Sequence, residues 1–220
     1  MFMLANITGH TINDYLKAEY YQKIAPLVKG KTVLDVGCID HDIESAGDER
    51  LWNHYFIKSF AKTAIGIDIE RNSLKKLKKM GYEVKVMNAE EISFKNKFDV
   101  IFAGELIEHL TNPGSFLKSS KKALKKNGII ILTTPNTFSV NRLVRVIQKF
   151  TNDPPANLDH TMYLTPQTIK TLGKKCGLEV IKIDYSFFPF IEDNLMFKLN
   201  KIVCKIAGEK FKEQLIIILK

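Results

Sequence analysis

Short apolar runs alternate with segments in which apolar residues recur every three to four positions. Runs of the first kind read as buried strands, and those of the second as amphipathic helices. Thr32 to Val36 is a β-rich run ending at Gly37. Glu49 to Phe60 sets Leu51, Trp52, Tyr55 and Phe56 on one helical stripe. Strands are predicted at Ala64 to Ile69, Glu83 to Met87, Phe98 to Ala103 and Ile129 to Thr133. Helices are predicted at Asn72 to Met80, stopped by Gly81, and at Pro113 to Lys126, stopped by Asn127-Gly128. Strands separated by single helices imply parallel pairing through right-handed crossovers. Their nearly unbroken apolarity implies helices on both faces of the sheet.

Beyond Pro135 the pattern loosens. Thr137 to Phe150 reads as an extra helix, and Thr151 to Asp159 as a Pro- and Asn-containing loop. A helix from Thr165, with Pro166 in its first turn, ends at Gly177 and leads to a sixth strand, Leu178 to Tyr185. A basic apolar helix is predicted near Leu195 to Ala207, and a closing strand at Gln214 to Leu219. On that helix Leu195, Leu199, Ile202 and Ile206 form a stripe expected to bury against the domain or a second subunit, with Lys198, Lys201 and Lys205 beside it. No repeat or low-complexity linker interrupts the chain. The expectation is one domain over 1–220, with an N-terminal helical cover at 1–30 and an insertion at 187–212 before the last strand.

Composition narrows the class. At 220 residues and 45% hydrophobic, the chain can bury a full core. No apolar run approaches the ~20 residues of a membrane-spanning helix, and the first residues lack the pattern of a secretory signal. The three cysteines form neither a disulfide framework nor a metal pair, so a cytoplasmic location is expected. The net charge of +9 sits largely in two clusters, Lys75-Lys76-Lys78-Lys79 and Lys118-Lys121-Lys122-Lys125-Lys126. Neither interleaves aromatic residues as a nucleic-acid platform would, so both are expected to be solvated helix faces, with no nucleic-acid partner.

Chemistry is expected beyond the carboxyl ends of the strands, where an open α/β sheet binds ligands. The first strand runs into Val33-Leu34-Asp35-Val36-Gly37-Cys38, the second into Ile67-Asp68-Ile69, and the third into Met87-Asn88-Ala89-Glu90. The fourth continues through Ala103, Gly104 and Glu105 into Glu108-His109. An acid placed like Asp68 can accept both hydroxyls of a ribose. A nicotinamide-binding site would need G-x-G-x-x-G with an acid about 20 residues on; here Gly37 stands alone and Asp68 lies farther away.

The series VLDVGC, GIDI, NAEEI, FDVIFAGELIEHL and NGIIILTTPN, together with His160 to Val180, resembles the class I S-adenosylmethionine (SAM) dependent methyltransferases. The group that includes the ubiquinone-biosynthesis O-methyltransferases is the nearest. The resemblance covers about Lys31 to Asp184. It implies a Rossmann-like, doubly wound seven-stranded sheet, mostly parallel with the last strand antiparallel. It also implies a SAM cofactor held by Asp35 and Gly37 at the methionine end, Asp68 at the ribose and Ile69 on the adenine. Asn88, Ala89 and Glu90 would border the adenine, and Ala103, Gly104 and Glu105 the methionine portion. The chain departs from the family's alternating glycines, having Ile39 and His41 where glycine is usual.

The expected reaction is O-methylation of a hydroxyl on a small-molecule acceptor, which can be glycan- or lipid-linked, by a monomer or homodimer. His109 and then His160 are the candidate bases, with Glu108 as orienter. Glu105, Glu108 and His109 form an E-x-x-E-H grouping like one that holds a divalent ion in some relatives, but no metal ligand is assigned. The competing readings are an RNA methyltransferase and a non-catalytic SAM-fold binding protein.

Overall fold

The computed structural model describes residues 12–39, 52–149, 158–189 and 195–220. Its centre is a seven-stranded sheet of β1 (Thr32–Val36), β2 (Thr63–Asp68), β3 (Val84–Val86), β4 (Phe98–Gly104), β5 (Leu124–Pro135), β6 (Val180–Ser186) and β7 (Gln214–Leu219). The spatial order is β3-β2-β1-β4-β5-β7-β6. Pairs among the first five strands are parallel, and β7 runs antiparallel to both β5 and β6. The expected architecture is therefore the observed one. Strand order reverses between β1 and β4, which opens a crevice at their carboxyl ends.

Two apolar layers flank the sheet, as unbroken hydrophobic strands require. One gathers Leu34, Ile101, Phe116, Leu132 and Ile217; the other gathers Val33, Phe56, Leu77, Phe102 and Ile131. The helices are α1 (Ile12–Tyr15), α2 (Glu19–Val28), α3 (Asn53–Phe60), α4 (Arg71–Lys79), α5 (Pro113–Ala123), α6 (Val140–Lys149), α7 (Pro166–Lys175) and α8 (Leu195–Ala207). Thr165 closes a capping box with Thr168 at the start of α7, and Asn112 caps α5. The Tyr15, Tyr21 and Phe56 rings pack together where the N-terminal helices meet α3, Tyr15 stacking on Phe56 and meeting Tyr21 edge to face.

Two expectations change. The helix expected over Pro113 to Lys126 stops at Ala123, because Leu124 already pairs with Phe98 and Lys125 bonds Asp99 at 2.9 Å. Pairing along β4 overrides local helix propensity there. The stripe of α8 is also not buried against its own domain: Leu199, Ile202 and Ile206 are 46%, 55% and 83% exposed in the single chain. The packed face is centred on Asn200 and Cys204 instead. Asn200 donates to the buried Glu213 carboxylate at 3.1 Å and accepts from the Cys204 thiol. A buried carboxylate without donors is expensive, so satisfying Glu213 fixes how the helix is rotated.

Both lysine clusters lie on exposed helix or strand faces: Lys75, Lys78 and Lys79 on α4, and Lys118, Lys121, Lys122, Lys125 and Lys126 on α5 and β5, with Lys76 half-buried. The start of the helix expected from Glu49, His41, and the loop expected over Thr151 to Asp159 as far as 157 lie outside the described residues.

Candidate active site

The crevice at the switch point holds a cavity of about 420 Å³. Gly37 from β1, Asp68 from β2 and Gly104 and Glu105 from β4 form its floor. Tyr20 and Tyr21 of α2 cover one side, and Phe188, Pro189 and Gln214 another. Glu108, His109, Asp159 and His160 line a further part of the wall. The N-terminal helices and the segment before β7 are tied together, since Lys212 bonds Glu19 at 2.8 Å and Glu209 at 2.9 Å.

Gly37 has φ +72°, in the left-handed region that favours glycine. A Cβ there would lie 2.9 Å from Leu106, another cavity residue. The turn is pinned by Gly37 N–H and Cys38 N–H, both donating to the Ile67 carbonyl. Next to it the Asp68 carboxylate accepts from the N–H of Ile39 at 3.1 Å and of Glu70 at 3.0 Å. Each oxygen keeps further lone-pair capacity for a ligand hydroxyl. Ile69 follows, 70% exposed.

Other residues expected in the site stand back from the described cavity wall. Asp35 is 1% exposed, and its carboxylate lies 2.8 Å from Nδ1 of the buried His54. Ala103 is core. Asn88 caps the 3-10 turn Ala89–Glu91 by accepting from the Glu90 N–H. Glu90 in turn accepts from the Asn112 N–H at 2.7 Å, and Ala89 is buried beneath Ser119.

The acid–imidazole cluster is the most constrained part. Glu105 is held at φ +50°. Its N–H donates to the Thr133 carbonyl, while its carboxylate accepts from Thr133 Oγ1 at 3.0 Å and Gln214 Nε2 at 3.2 Å. Tyr20 OH lies 3.1 Å from the same Thr133 hydroxyl. Glu108 is 2% exposed; one oxygen accepts from Thr134 at 3.0 Å, and the other is buried with no hydrogen-bond partner among the described residues. Burial holds both carboxyls above the ordinary range, Glu108 the more so because the Glu105 charge opposes its ionisation. Arg142 partly offsets this for both.

His160 reaches the cluster because Thr161 is stitched to the turn Ile107–His109. The Thr161 N–H and hydroxyl both donate to the Glu108 carbonyl, at 2.8 and 3.0 Å. The His109 and His160 rings meet edge to face, with centroids 4.6 Å apart. Burial, and then the neighbouring His109 and Arg142, lower the His160 pKa. Ligand atoms of Glu108, His109 and His160 all lie within 4.8 Å of one another. A carboxylate and two imidazoles can hold a divalent ion. His160, and not Glu105 of the E-x-x-E-H grouping, stands beside Glu108 and His109, since Glu105 turns to Thr133 and Gln214.

The sequence missed Tyr20, Tyr21, Asn53, Phe188 and Gln214 as wall residues. They come from α2, α3, the segment after β6 and the antiparallel strand β7, which carry no motif of the strand ends.

Comparison with known proteins agrees with this geometry. A family model described as a methyltransferase domain matches residues 10–183. Ubiquinone biosynthesis O-methyltransferase of Pelagibacter ubique is 28% identical over 144 residues, 60% of this chain and 59% of that protein. The protein of the same description from Thiobacillus denitrificans is 25% identical over 181 residues, covering 77% of this chain and 73% of its own. A SAM-dependent methyltransferase from Archaeoglobus fulgidus has a similar fold, with a TM-score of 0.65 at 19% identity, covering 100% of this chain and 98% of its own. With a family model spanning most of its length and a cavity at the switch point of the matching sheet, the chain belongs to the SAM-dependent methyltransferase-domain family.

Proposed function

We propose that the chain transfers the SAM methyl group to a hydroxyl oxygen of a small-molecule acceptor. The observation that carries this reading is one cavity with a ribose-type acid, Asp68, in its floor and an imidazole pair with a buried acid in its wall. The names of the relatives from Pelagibacter and Thiobacillus favour oxygen as the acceptor atom.

SAM supplies an activated methyl carbon that is displaced in line. Asp68 would accept hydrogen bonds from the ribose hydroxyls, and the tight turn at Gly37 would let the backbone approach the ligand. Tyr20, Tyr21 and Phe188 exclude water and fix the acceptor. His160 takes the hydroxyl proton as the oxygen attacks, which leaves a methyl ether and a neutral sulfide, S-adenosylhomocysteine. His160 is placed before His109 because the Thr161 bonds to the Glu108 carbonyl hold it against the cavity. Glu108 holds the connection to Thr161 and so the position of His160.

The test is His160→Gln. With the acceptor found by screening hydroxylated small molecules for methyl incorporation, kcat should fall by about 10²- to 10⁴-fold, the usual contribution of a general base. S-adenosylhomocysteine affinity should stay unchanged. Equal turnover in the variant would remove His160 from the chemistry.

A further inference from the structure

A second cavity, of about 340 Å³, adjoins the first and shares Phe188 and Gln214 with it. Its other walls include Ser139, Asn141, Arg142 and Arg145, from the start of α6 and the residue before it. We propose that this cavity is the subsite for an oxyanion group, carboxylate or phosphate, on the methyl acceptor. The acceptor would then be an anionic hydroxy compound, with its hydroxyl in the first cavity and its charge in the second. The inference rests on the methyl-transfer reading and adds the acceptor's chemical class.

Three observations carry it. First, α6 has the sequence VNRLVRVIQK, with three cations and no acid. Arginine is suited to oxyanions because its planar donors match two oxygens at once. Second, Arg142 is half-buried and held with its guanidinium 5.6 Å from the Tyr163 ring centroid, so the charge has a fixed place. It is near enough to the first cavity to act electrostatically on both Glu105 and Glu108. A group bound there would bridge the two spaces.

Third, the hydrogen bonds to the acid of the second cavity come from groups other than the arginines. Glu213 is 8% exposed and accepts from Asn141 Nδ2, Asn200 Nδ2 and the Phe188 N–H. Its hydrogen bonds come from neutral donors; burial raises its pKa, and those bonds and the Arg145 charge oppose this.

The experiment titrates phenol, benzoate and phenyl phosphate into the full chain, with and without saturating S-adenosylhomocysteine, by calorimetry. The two anions should bind at least about tenfold more tightly than phenol, as charge-assisted hydrogen bonds require. The stronger of the two identifies carboxylate or phosphate. Arg145→Gln, at an exposed position, and Arg142→Gln should each bring the anions towards phenol, and Arg145→Lys should retain part of the preference. S-adenosylhomocysteine affinity in the same samples serves as the folding control. Equal binding of all three probes, or a preference that survives both glutamine variants, overturns the subsite. Arginine-dependent anion binding by protein that binds no S-adenosylhomocysteine would instead overturn the methyl-transfer reading.

Discussion

Asp68 and Glu108 are both carboxylates, yet their surroundings set them to opposite tasks. Asp68 is half-buried and accepts from two backbone N–H groups, which suits a charged acceptor of ligand hydroxyls. Asp68→Ala removes a charge-assisted pair, each bond worth roughly 1.5–3 kcal/mol. S-adenosylhomocysteine affinity should fall by about tenfold to several hundredfold, and unchanged affinity in calorimetry would remove Asp68 from the ribose. Glu108 is 2% exposed with one oxygen unsatisfied among the described residues, and its pKa is raised by burial and by Glu105. A raised carboxyl pKa means that the folded state holds the proton more tightly than the unfolded state. The stability this contributes is full at acidic pH and is lost as pH rises through the folded-state value. Glu108→Gln keeps the shape and removes the charge. Its melting temperature relative to wild type should therefore rise with pH, being higher at pH 8.5 than at pH 5; a pH-independent difference would contradict the assignment.

Among the elements, α8 is the clearest case of tertiary structure reversing a sequence pattern. The spacing of Leu199, Ile202 and Ile206 is that of a buried stripe, but all three face solvent. Asn200→Ala leaves the buried Glu213 short of a donor and should destabilise by about 1–3 kcal/mol. Ile202→Glu should change stability by no more than about 0.5 kcal/mol, as exposed substitutions do. Urea unfolding of the two variants decides; a large loss for Ile202→Glu with none for Asn200→Ala would restore the expected rotation. The end of α5 shows the same point on a smaller scale, since strand pairing at Leu124 ends a helix that local residues would have extended. By contrast, β1 and β7 occupy the predicted ranges Thr32–Val36 and Gln214–Leu219, because short runs made mostly of β-branched and aliphatic residues suit a buried sheet.

At the scale of the whole molecule, the positive charge is dispersed over faces that point to water. Binding to mixed RNA or duplex DNA should be weak and should vanish by about 200 mM salt, since only counterion release would drive it. Filter binding across a salt series measures this, and tight binding at high salt with methyl incorporation into RNA would favour an RNA methyltransferase. Among the described residues no helix is long and apolar enough to cross a membrane. The sequence by itself determined the order and type of the elements and the floor of the cavity, because strand ends put Gly37, Asp68 and Glu105 at fixed places in a linear pattern. It did not contain the walls. Tyr20, Phe188 and Gln214 meet only when distant segments pack, and His160 reaches His109 only through the Thr161 bonds to the Glu108 carbonyl. Nor did it reveal that Asp35 faces His54, because a short polar motif is compatible with either a ligand or an inward partner until neighbouring helices fill the space. Local periodicity encodes secondary structure, whereas convergence of side chains depends on three-dimensional packing, where satisfying a buried polar group can outweigh burying an apolar stripe.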